Sequence, residues 1–391
     1  LMEETLLHHL GKTAEILVFL LGAMTIVEII DYFDGFSTIK SIIKTKSKVR
    51  ILWIFSILAF ILSAIIDNLT ATIVLISILQ KIVKDRDVRL WYAGLIIIAA
   101  NAGGAWSPIG DVTTTMLWIG DKVTTVNLIK YLFLPSVVCM VVPSLIASFL
   151  PAFKGELEIV DNQEDKPKSK FSSTMLFLGL SAIVSVPVFK VITHLPPYVG
   201  MMLALGVVAV FAEIYSSSKF SLSAVDSEES DAHAHHSPVH HSLSKIEMPS
   251  ILFFLGILMA VAALESLGLL FGFATTLKES MPMLGTELAG TQVSDIVVIF
   301  LGVGSAVIDN VPLVAASLGM FTESVDDQLW HFIAYSAGTG GSMLVIGSAA
   351  GVVAMGMEKI DFFWYLKKIS WLALLGFLAG ALMFLFTRAM F

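Results

Sequence analysis

The sequence predicts an all-α polytopic membrane protein built as an inverted repeat, with two re-entrant helical hairpins and two unwound transmembrane helices. Three observations predict it. First, 56% of the 391 residues are hydrophobic and only 14% charged, with a mean hydropathy of +0.86. A soluble chain carries about 45–50% apolar and about 25% charged residues. This one would therefore expose too much apolar surface to be soluble, disordered or a nucleic-acid binder. Second, two apolar stretches are interrupted at Asp-Asn pairs, Asp67-Asn68 and Asp309-Asn310. Third, two others are interrupted by Gly-Gly pairs, Gly103-Gly104 and Gly340-Gly341.

Crossing roughly 30 Å of hydrocarbon takes about 20 apolar residues in a helix. Full spans are expected over 14–33, 126–150, 171–191, 197–216, 249–277 and 364–389. Shorter runs at 51–66 and 70–80 meet at Asp67-Asn68, and runs at 292–308 and 311–320 meet at Asp309-Asn310. The stretches 90–120 and 328–356 are apolar but broken by glycine and polar residues. Bare backbone amides have no partners in lipid, so such breaks must be wrapped in protein or line a wet cavity.

Basic residues set the orientation. Lys40, Lys44, Lys46, Lys48 and Arg50 precede the first Asp-Asn stretch, and Lys81, Lys84, Arg86 and Arg89 follow it. Both ends then face the cytoplasm, which makes the stretch a re-entrant hairpin. The second stretch is followed by Glu323, Asp326 and Asp327 with no basic residue, so it enters from the opposite side.

The halves echo each other. Ser63-Ala64-Ile65-Ile66-Asp67-Asn68 matches Ser305-Ala306-Val307-Ile308-Asp309-Asn310 in five of six positions. Gly103-Gly104 with Ile109-Gly110 matches Gly340-Gly341 with Ile346-Gly347, and Glu28 with Gly35-Phe36 matches Glu265 with Gly272-Phe273. Inverted repeats with broken helices meeting near the midplane are a design of secondary transporters. On this reading 1–150 is the first repeat, 151–170 a cytoplasmic linker, 171–216 the first two scaffold helices of the second repeat, and 248–391 its remainder. The first repeat lacks counterparts of the two helices in 171–216, so two N-terminal helices are expected to be missing from this chain; true asymmetry of the halves is the alternative. The segment 217–247 is rich in Ser and carries His233, His235, His236, His240 and His241. A metal- or pH-sensing tract is one reading of it; a disordered cytoplasmic linker is the favoured one.

Asp67 and Asp309 are the sharpest chemical signal. A carboxylate in the bilayer costs roughly 2.5–3.5 kcal/mol on insertion scales, and here two occupy equivalent positions. Hard cations take oxygen ligands from carboxylates, amides and carbonyls, which points to a cation site. The alternative is helix capping, for which Asp and Asn are suited, and Asn68 and Asn310 are expected in that role. The break Asn101-Ala102-Gly103-Gly104-Ala105-Trp106-Ser107-Pro108-Ile109-Gly110-Asp111 frees carbonyls and adds a third carboxylate, with hydroxyls from Thr113, Thr114 and Thr115. The counterpart Gly338-Thr339-Gly340-Gly341-Ser342 supplies carbonyls and hydroxyls without charge. Close helix packing would equally use glycines. Glu28 and Glu265, at equivalent positions near span ends, are read either as supports of the site from a distance or as interhelical hydrogen-bonders.

The single cysteine, Cys139, sits in an apolar run, so no disulfide framework is expected. No nucleophile–His–acid arrangement or phosphate loop occurs in the sequence. The chain is expected not to be an enzyme and to need no cofactor, drawing its energy from an ion gradient.

The motifs Ile66-Asp67-Asn68-Leu69-Thr70-Ala71-Thr72, Asn101 to Thr114, and Ile308-Asp309-Asn310-Val311-Pro312 resemble those of NhaD-type sodium/proton antiporters of the ion transporter superfamily, related to arsenite-efflux and divalent-anion symporter families. The resemblance implies a scaffold that forms a homodimer, and a transport domain that moves through the bilayer like an elevator. It implies Na⁺ or Li⁺ and H⁺ as transported ions, with Asp67 and Asp309 holding Na⁺. It extends the cation- and proton-binding set to Asn68, Thr70, Asn101, Gly103, Gly104, Ser107, Asp111, Thr113, Thr114, Ser305, Asn310, Gly340, Gly341 and Ser342. A bacterial inner (plasma) membrane is the expected location. In carboxylate-transporting relatives the hairpin tips carry Ser-Asn-Thr; here aspartates replace the serines, which suits a cation. The alternative is an arsenite, oxyanion or carboxylate transporter of the same superfamily.

Overall fold

The computed structural model describes residues 2–40, 43, 45–157, 171–223, 237–246, 248–270, 272 and 293–388. The described residues are helical nearly throughout, with one isolated bridge between Ser47 and Glu156. Six helices among them are long and apolar enough to cross a membrane. Large apolar side chains such as Val126, Phe149, Phe177, Ile192 and Leu382 are exposed, as a bilayer-facing surface requires. The chain is an integral multi-pass membrane protein.

The chain forms two compact units. One comprises Glu15–Ile43 and Asn162–Phe253, the other Leu1–Ala14, Lys44–Asp161 and Phe254–Phe391. The first holds most of α1 (Met2–Tyr32), with α2 (Ser37–Lys40), α8 (Ser172–Thr193), α9 (Pro197–Ser223) and α10 (Pro238–Lys245). Small residues bring its helices together. A Cβ at Gly179 would strike Ile30, and one at Gly22 would strike Met201 and Met202. Ser172 Oγ donates to Phe33 O at 2.8 Å. The segment expected as a plain linker is partly helical: α9 runs on to Ser223, and α10 places His241 against Tyr32 at 5.3 Å between ring centres. Residues 224–236, with His233, His235 and His236, lie outside the described residues.

The other unit carries all four interrupted stretches. In chain order it has α3 (Lys48–Ile66), α4 (Asn68–Ile82), α5 (Arg86–Gly104), α6 (Val112–Ile119) and α7 (Thr125–Ser148). After α11 (Met248–Ser266) come α12 (Asp295–Gly304), α13 (Asn310–Met320), α14 (Gln328–Gly340), α15 (Ala349–Glu358), α16 (Phe362–Lys368) and α17 (Ser370–Arg388). The breaks fall where expected: between α3 and α4, α5 and α6, α12 and α13, and α14 and α15. Two boundaries differ. Helix α3 takes in Lys48 and Arg50, whose long side chains reach water from a helix end, and becomes long enough to cross a bilayer. The expected last span is divided at Ile369, between α16 and α17. The expected span 249–277 is helical over Met248–Ser266, and residues 273–292 lie outside the described residues.

The two sets of broken helices make the same contacts. Ser63 Oγ donates to Ala100 O at 2.5 Å, and Ser305 Oγ to Ala337 O at 2.8 Å. The backbone at Gly103 presses on the Phe60 carbonyl, and that at Gly340 on the Gly302 carbonyl. Gly110 meets Ser63 O and Ala64, while Gly347 meets Ala306. Every pair maps onto its partner by the sequence offsets that relate the two Asp-Asn pairs and the two Gly-Gly pairs.

No Cβ fits at Gly103 or Gly340, since each would collide with backbone rather than with a yielding side chain. Gly103→Ala and Gly340→Ala should each destabilise the fold by about 1–3 kcal/mol, the usual cost of overpacking. Thermal unfolding of detergent-purified protein measures this. Gly206→Ala, where a Cβ would meet nothing within 4 Å, should not lower the midpoint.

Candidate ion-binding site

Four helices, α4, α6, α13 and α15, begin at the breaks. Their N-cap residues are Asp67, Asp111, Asp309 and Ser348. Helix N-termini present unpaired N–H groups and a partial positive charge. Three of these four meet a carboxylate.

Asp67 is the single residue between α3 and α4. Its backbone sits at φ 82°, ψ 158°, a region essentially reserved for glycine. Its Oδ1 accepts from Thr70 N at 2.8 Å and its Oδ2 from Thr70 Oγ1 at 2.9 Å. The cap expected of Asn68 therefore falls to Asp67, and Asn68 is released for the interior. Asn68 Nδ2 donates to Asn101 Oδ1 at 3.0 Å, and Asn101 Nδ2 donates to Ser348 Oγ at 3.0 Å. One buried amide chain thus joins the first tip, the first break and the second break.

Asp111 is buried at the start of α6. Its Oδ1 accepts from Thr113 N at 3.4 Å, and its Oδ2 from Asn310 Nδ2 at 3.0 Å. It also interacts electrostatically with Asp309 and Asp67. Asn310 again does interior work rather than capping. Asp309 makes no capping bond, and its Oδ1 is buried without a hydrogen-bond partner. Such an atom in a native fold calls for an explanation.

The other expected residues surround these. Ser107 Oγ donates to Ala64 O at 2.6 Å, fastening the first break to α3. Thr114 Oγ1 donates to Asp111 O at 3.0 Å and reaches Gly104 O at 3.5 Å. Gly104 lies on Gly110 O, and Gly341 on Gly347 O. Ser342 Oγ donates to Thr339 O at 2.6 Å, and Ser342 O accepts from Tyr365 OH at 2.8 Å. Thr70 and Ser305 are committed to the bonds already described. Glu28 belongs to the other unit. Glu265 packs against Gly319 of α13, with its Oε2 3.9 Å from His9 Nδ1.

Sequence reasoning missed Ser348. The offset that maps Gly104 onto Gly341 also maps Asp111 onto Ser348, so the signal was present. It was masked because the serine breaks the match in charge while keeping the cap, accepting from Gly351 N at 3.2 Å. No group of three or more His, Cys, Asp or Glu side chains with metal-holding geometry occurs among the described residues. A cation here would draw on amide, hydroxyl and carbonyl oxygens beside the carboxylates.

Broken apolar helices with buried carboxylates and amides at the breaks define a membrane transporter rather than a catalyst. Residues 10–331 match the family described as citrate transporter (CitMHS). The chain is 44% identical over 380 residues to sodium/proton antiporter 1 of Arabidopsis thaliana, covering 95% of this chain and 62% of that protein's length. It is 39% identical over 387 residues to sodium/proton antiporter 2 of the same plant, covering 97% and 86%. It is 34% identical over 385 residues to the Na⁺/H⁺ antiporter NhaD of Vibrio parahaemolyticus, covering 94% and 89%. The chain belongs to the citrate transporter (CitMHS) family, with the NhaD-type antiporters among its relatives. The expectation of a bacterial inner membrane draws no support from the two plant relatives.

The tip at Asp67 carries backbone strain that glycine would relieve. Asp67→Gly and Asp67→Ala both remove the capping carboxylate, but only the first suits φ 82°. The glycine variant should be more stable than the alanine variant by about 1–2 kcal/mol, read as the difference between their thermal midpoints in detergent.

Proposed function

We propose that this chain exchanges Na⁺ or Li⁺ for H⁺ across a membrane, with both ions competing for Asp67, Asp309 and Asp111. The observation that carries the reading is the convergence on Asp111: it is buried, bonded to Asn310, and in electrostatic contact with both tip aspartates. Three carboxylates sharing one low-dielectric site cannot all stay ionised without a cation or protons. A cation entering displaces protons, and protons entering displace the cation. If crossing requires a loaded site, the two gradients are coupled.

The names of the relatives favour the same ions. The family's description invites the alternative of a carboxylate substrate, and the arsenite and oxyanion readings remain related to it. Against these, the hydrogen bonds described at the breaks come from amides, hydroxyls and backbone N–H groups among the described residues, rather than from the Lys or Arg that anion recognition favours. The site donors are amides, hydroxyls and backbone N–H groups, and the added charges are negative.

For the motion, the unit bearing both sets of broken helices is the moving body, and the unit of Glu15–Ile43 and Asn162–Phe253 is the fixed scaffold of a homodimer. The pairs α3–α4 and α12–α13 act as re-entrant hairpins of oppositely oriented repeats. The lengths of α12 and α13, 10 and 11 residues, support this for the second pair, since about 20 are needed to span; α3, with 19 residues, does not share that support.

Asp67→Asn and Asp309→Asn should each abolish Na⁺-dependent proton flux in everted vesicles. Retention of wild-type flux in both overturns the assignment. The pH dependence has a definite sign: protons and Na⁺ compete, so the apparent KM for Na⁺ should rise as pH falls, by up to about tenfold per pH unit for one competing proton. Na⁺ and Li⁺, but neither citrate nor arsenite, should raise the thermal midpoint of the purified protein.

A further inference from the structure

Each broken helix is fastened at its far end as well as at the site. Helix α15 starts at Ser348, bonded to Asn101 near the end of α5, and finishes at Glu358 beside Arg89 near the start of α5. The two helices therefore lie antiparallel and are tied at both ends. Twelve residues of α5 and ten of α15 separate the ties, which is about 18 and 15 Å at 1.5 Å per residue. Arg89 Nε lies 3.1 Å from both Glu358 oxygens, and its Nη1 donates to Val83 O and Lys84 O at the end of α4. Arg86 Nη2 donates to Lys359 O at 3.0 Å, completing the knot.

The second pair repeats the plan with the charge reversed. Asp326 stands 237 residues after Arg89, the offset of the Gly-Gly motifs, and lies two residues before α14, where Arg89 lies in the first turn of α5. It accepts from Thr124 N at 2.7 Å, Thr124 Oγ1 at 2.8 Å and Asn127 Nδ2 at 2.8 Å, all at the start of α7, which follows α6 by a short connection. Its own N–H donates to Lys122 O at 2.8 Å, and Lys122 Nζ stacks 4.7 Å over the Trp330 ring of α14. His331 Nε2 lies 3.5 Å from Asp326 Oδ1. Burial alone would raise the Asp326 carboxyl, but the donors around it, His331 first, hold it well below the usual carboxylate range. At its other end α6 begins at Asp111, whose Oδ2 lies 3.6 Å from where a Cβ of Gly338 would stand.

We propose that the Arg89–Glu358 pair and the Asp326 cluster are positioning clasps. Each joins a half-helix of one repeat to the helix pair of the other, and so fixes where Ser348 and Asp111 stand at the ion site. Arg89, Glu358 and Asp326 touch no transported ion; they act through the helix that each holds. A surface ion pair would contribute little, but Glu358 is 3% exposed, and releasing one partner of a buried pair is costly. The proposal rests on the antiport reading above.

The test compares wild type with Arg89→Gln, Glu358→Gln, Asp326→Asn and the conservative Arg89→Lys. Two readouts are taken per amount of folded protein: KM and kcat for Na⁺-driven proton flux, and the Na⁺ concentration giving half-maximal thermal stabilisation of purified protein. The three neutralising variants should raise KM and the half-maximal concentration by about tenfold, the lower end of what outer partners of cation sites contribute, with kcat changed far less. Arg89→Lys should stay within about threefold of wild type, and Arg89→Gln with Glu358→Gln together should cost no more than either alone, as residues acting as a pair do. Neutralising variants that lose thermal stability yet keep wild-type KM and half-maximal concentration overturn the proposal, as does strict additivity of the pair. Should Arg89→Gln not fold, the isosteric Glu358→Gln decides alone. Absence of Na⁺-dependent flux in the wild type instead overturns the antiport reading, and is seen before any variant is made.

Discussion

Backbone that leaves a helix inside a bilayer must find every hydrogen bond within the protein, and the whole site follows from how this chain meets that demand. At each break a helix stops, a few residues run irregularly, and a new helix starts. The stopped helix leaves carbonyls and the new one leaves N–H groups. Glycine at 103 and 340 lets the broken segment lie directly against the backbone of a neighbouring helix, which closes it off from lipid. Serines fasten the same joint, Ser63 to Ala100 O and Ser305 to Ala337 O. The N–H groups are met by Asp67, Asp111 and Ser348. Carboxylates are thus present at membrane depth because broken helices need acceptors there, and that requirement also makes the place suitable for cations.

The two tips meet the demand differently. Asp67 is strained and fully engaged: about 1–3 kcal/mol of backbone strain is offset by capping bonds of about 0.5–2 kcal/mol and by the amide chain through Asn68. Asp309 keeps a negative φ, at φ −39° and ψ 143°, and leaves Oδ1 buried without a partner. A carboxylate oxygen left so is poorly satisfied as an anion unless something positive joins it. Under the proposed exchange, Asp67 acts as a preformed wall of the site, while Asp309 gains most from a proton or a metal cation.

Much of this was legible in the sequence because the demand is local. Asp67 and Asp309 stood out as charges in apolar runs, and the glycine pairs as breaks that no lipid-facing helix tolerates. What was not legible was partner choice. Asn68 and Asn310 were read as caps, because Asn caps well and begins a helix in both places. In the fold Asp67 takes that edge at the first tip while Asp309 makes no capping bond at the second, and both amides turn inward, Asn68 to Asn101 and Asn310 to Asp111. Ser348 stayed hidden because hydroxyl and carboxylate cap alike yet look unlike in a charge-based scan. Glu28 and Glu265 matched in spacing, but spacing cannot say which compact unit a helix joins. Helix α3 exceeded its apolar run because Lys and Arg extend a helix into the headgroup region, where hydropathy no longer marks its end.

Four helix N-termini gathered at one site would ordinarily favour an anion, which fits a family described by citrate transport. In this chain the side chains at those ends are acidic instead. Three of the four N-termini carry aspartate, so each partial positive end of about half a charge is overbalanced by a full negative one. The stopped helices α5 and α14 add carbonyl ends of the same negative sense. The fourth cap, Ser348, takes a hydrogen bond from Asn101, and a carboxylate in its place would add a fourth negative charge. Under the proposed exchange, the mixed set of three carboxylates and one hydroxyl lets neutralisation be shared between a monovalent metal ion and protons.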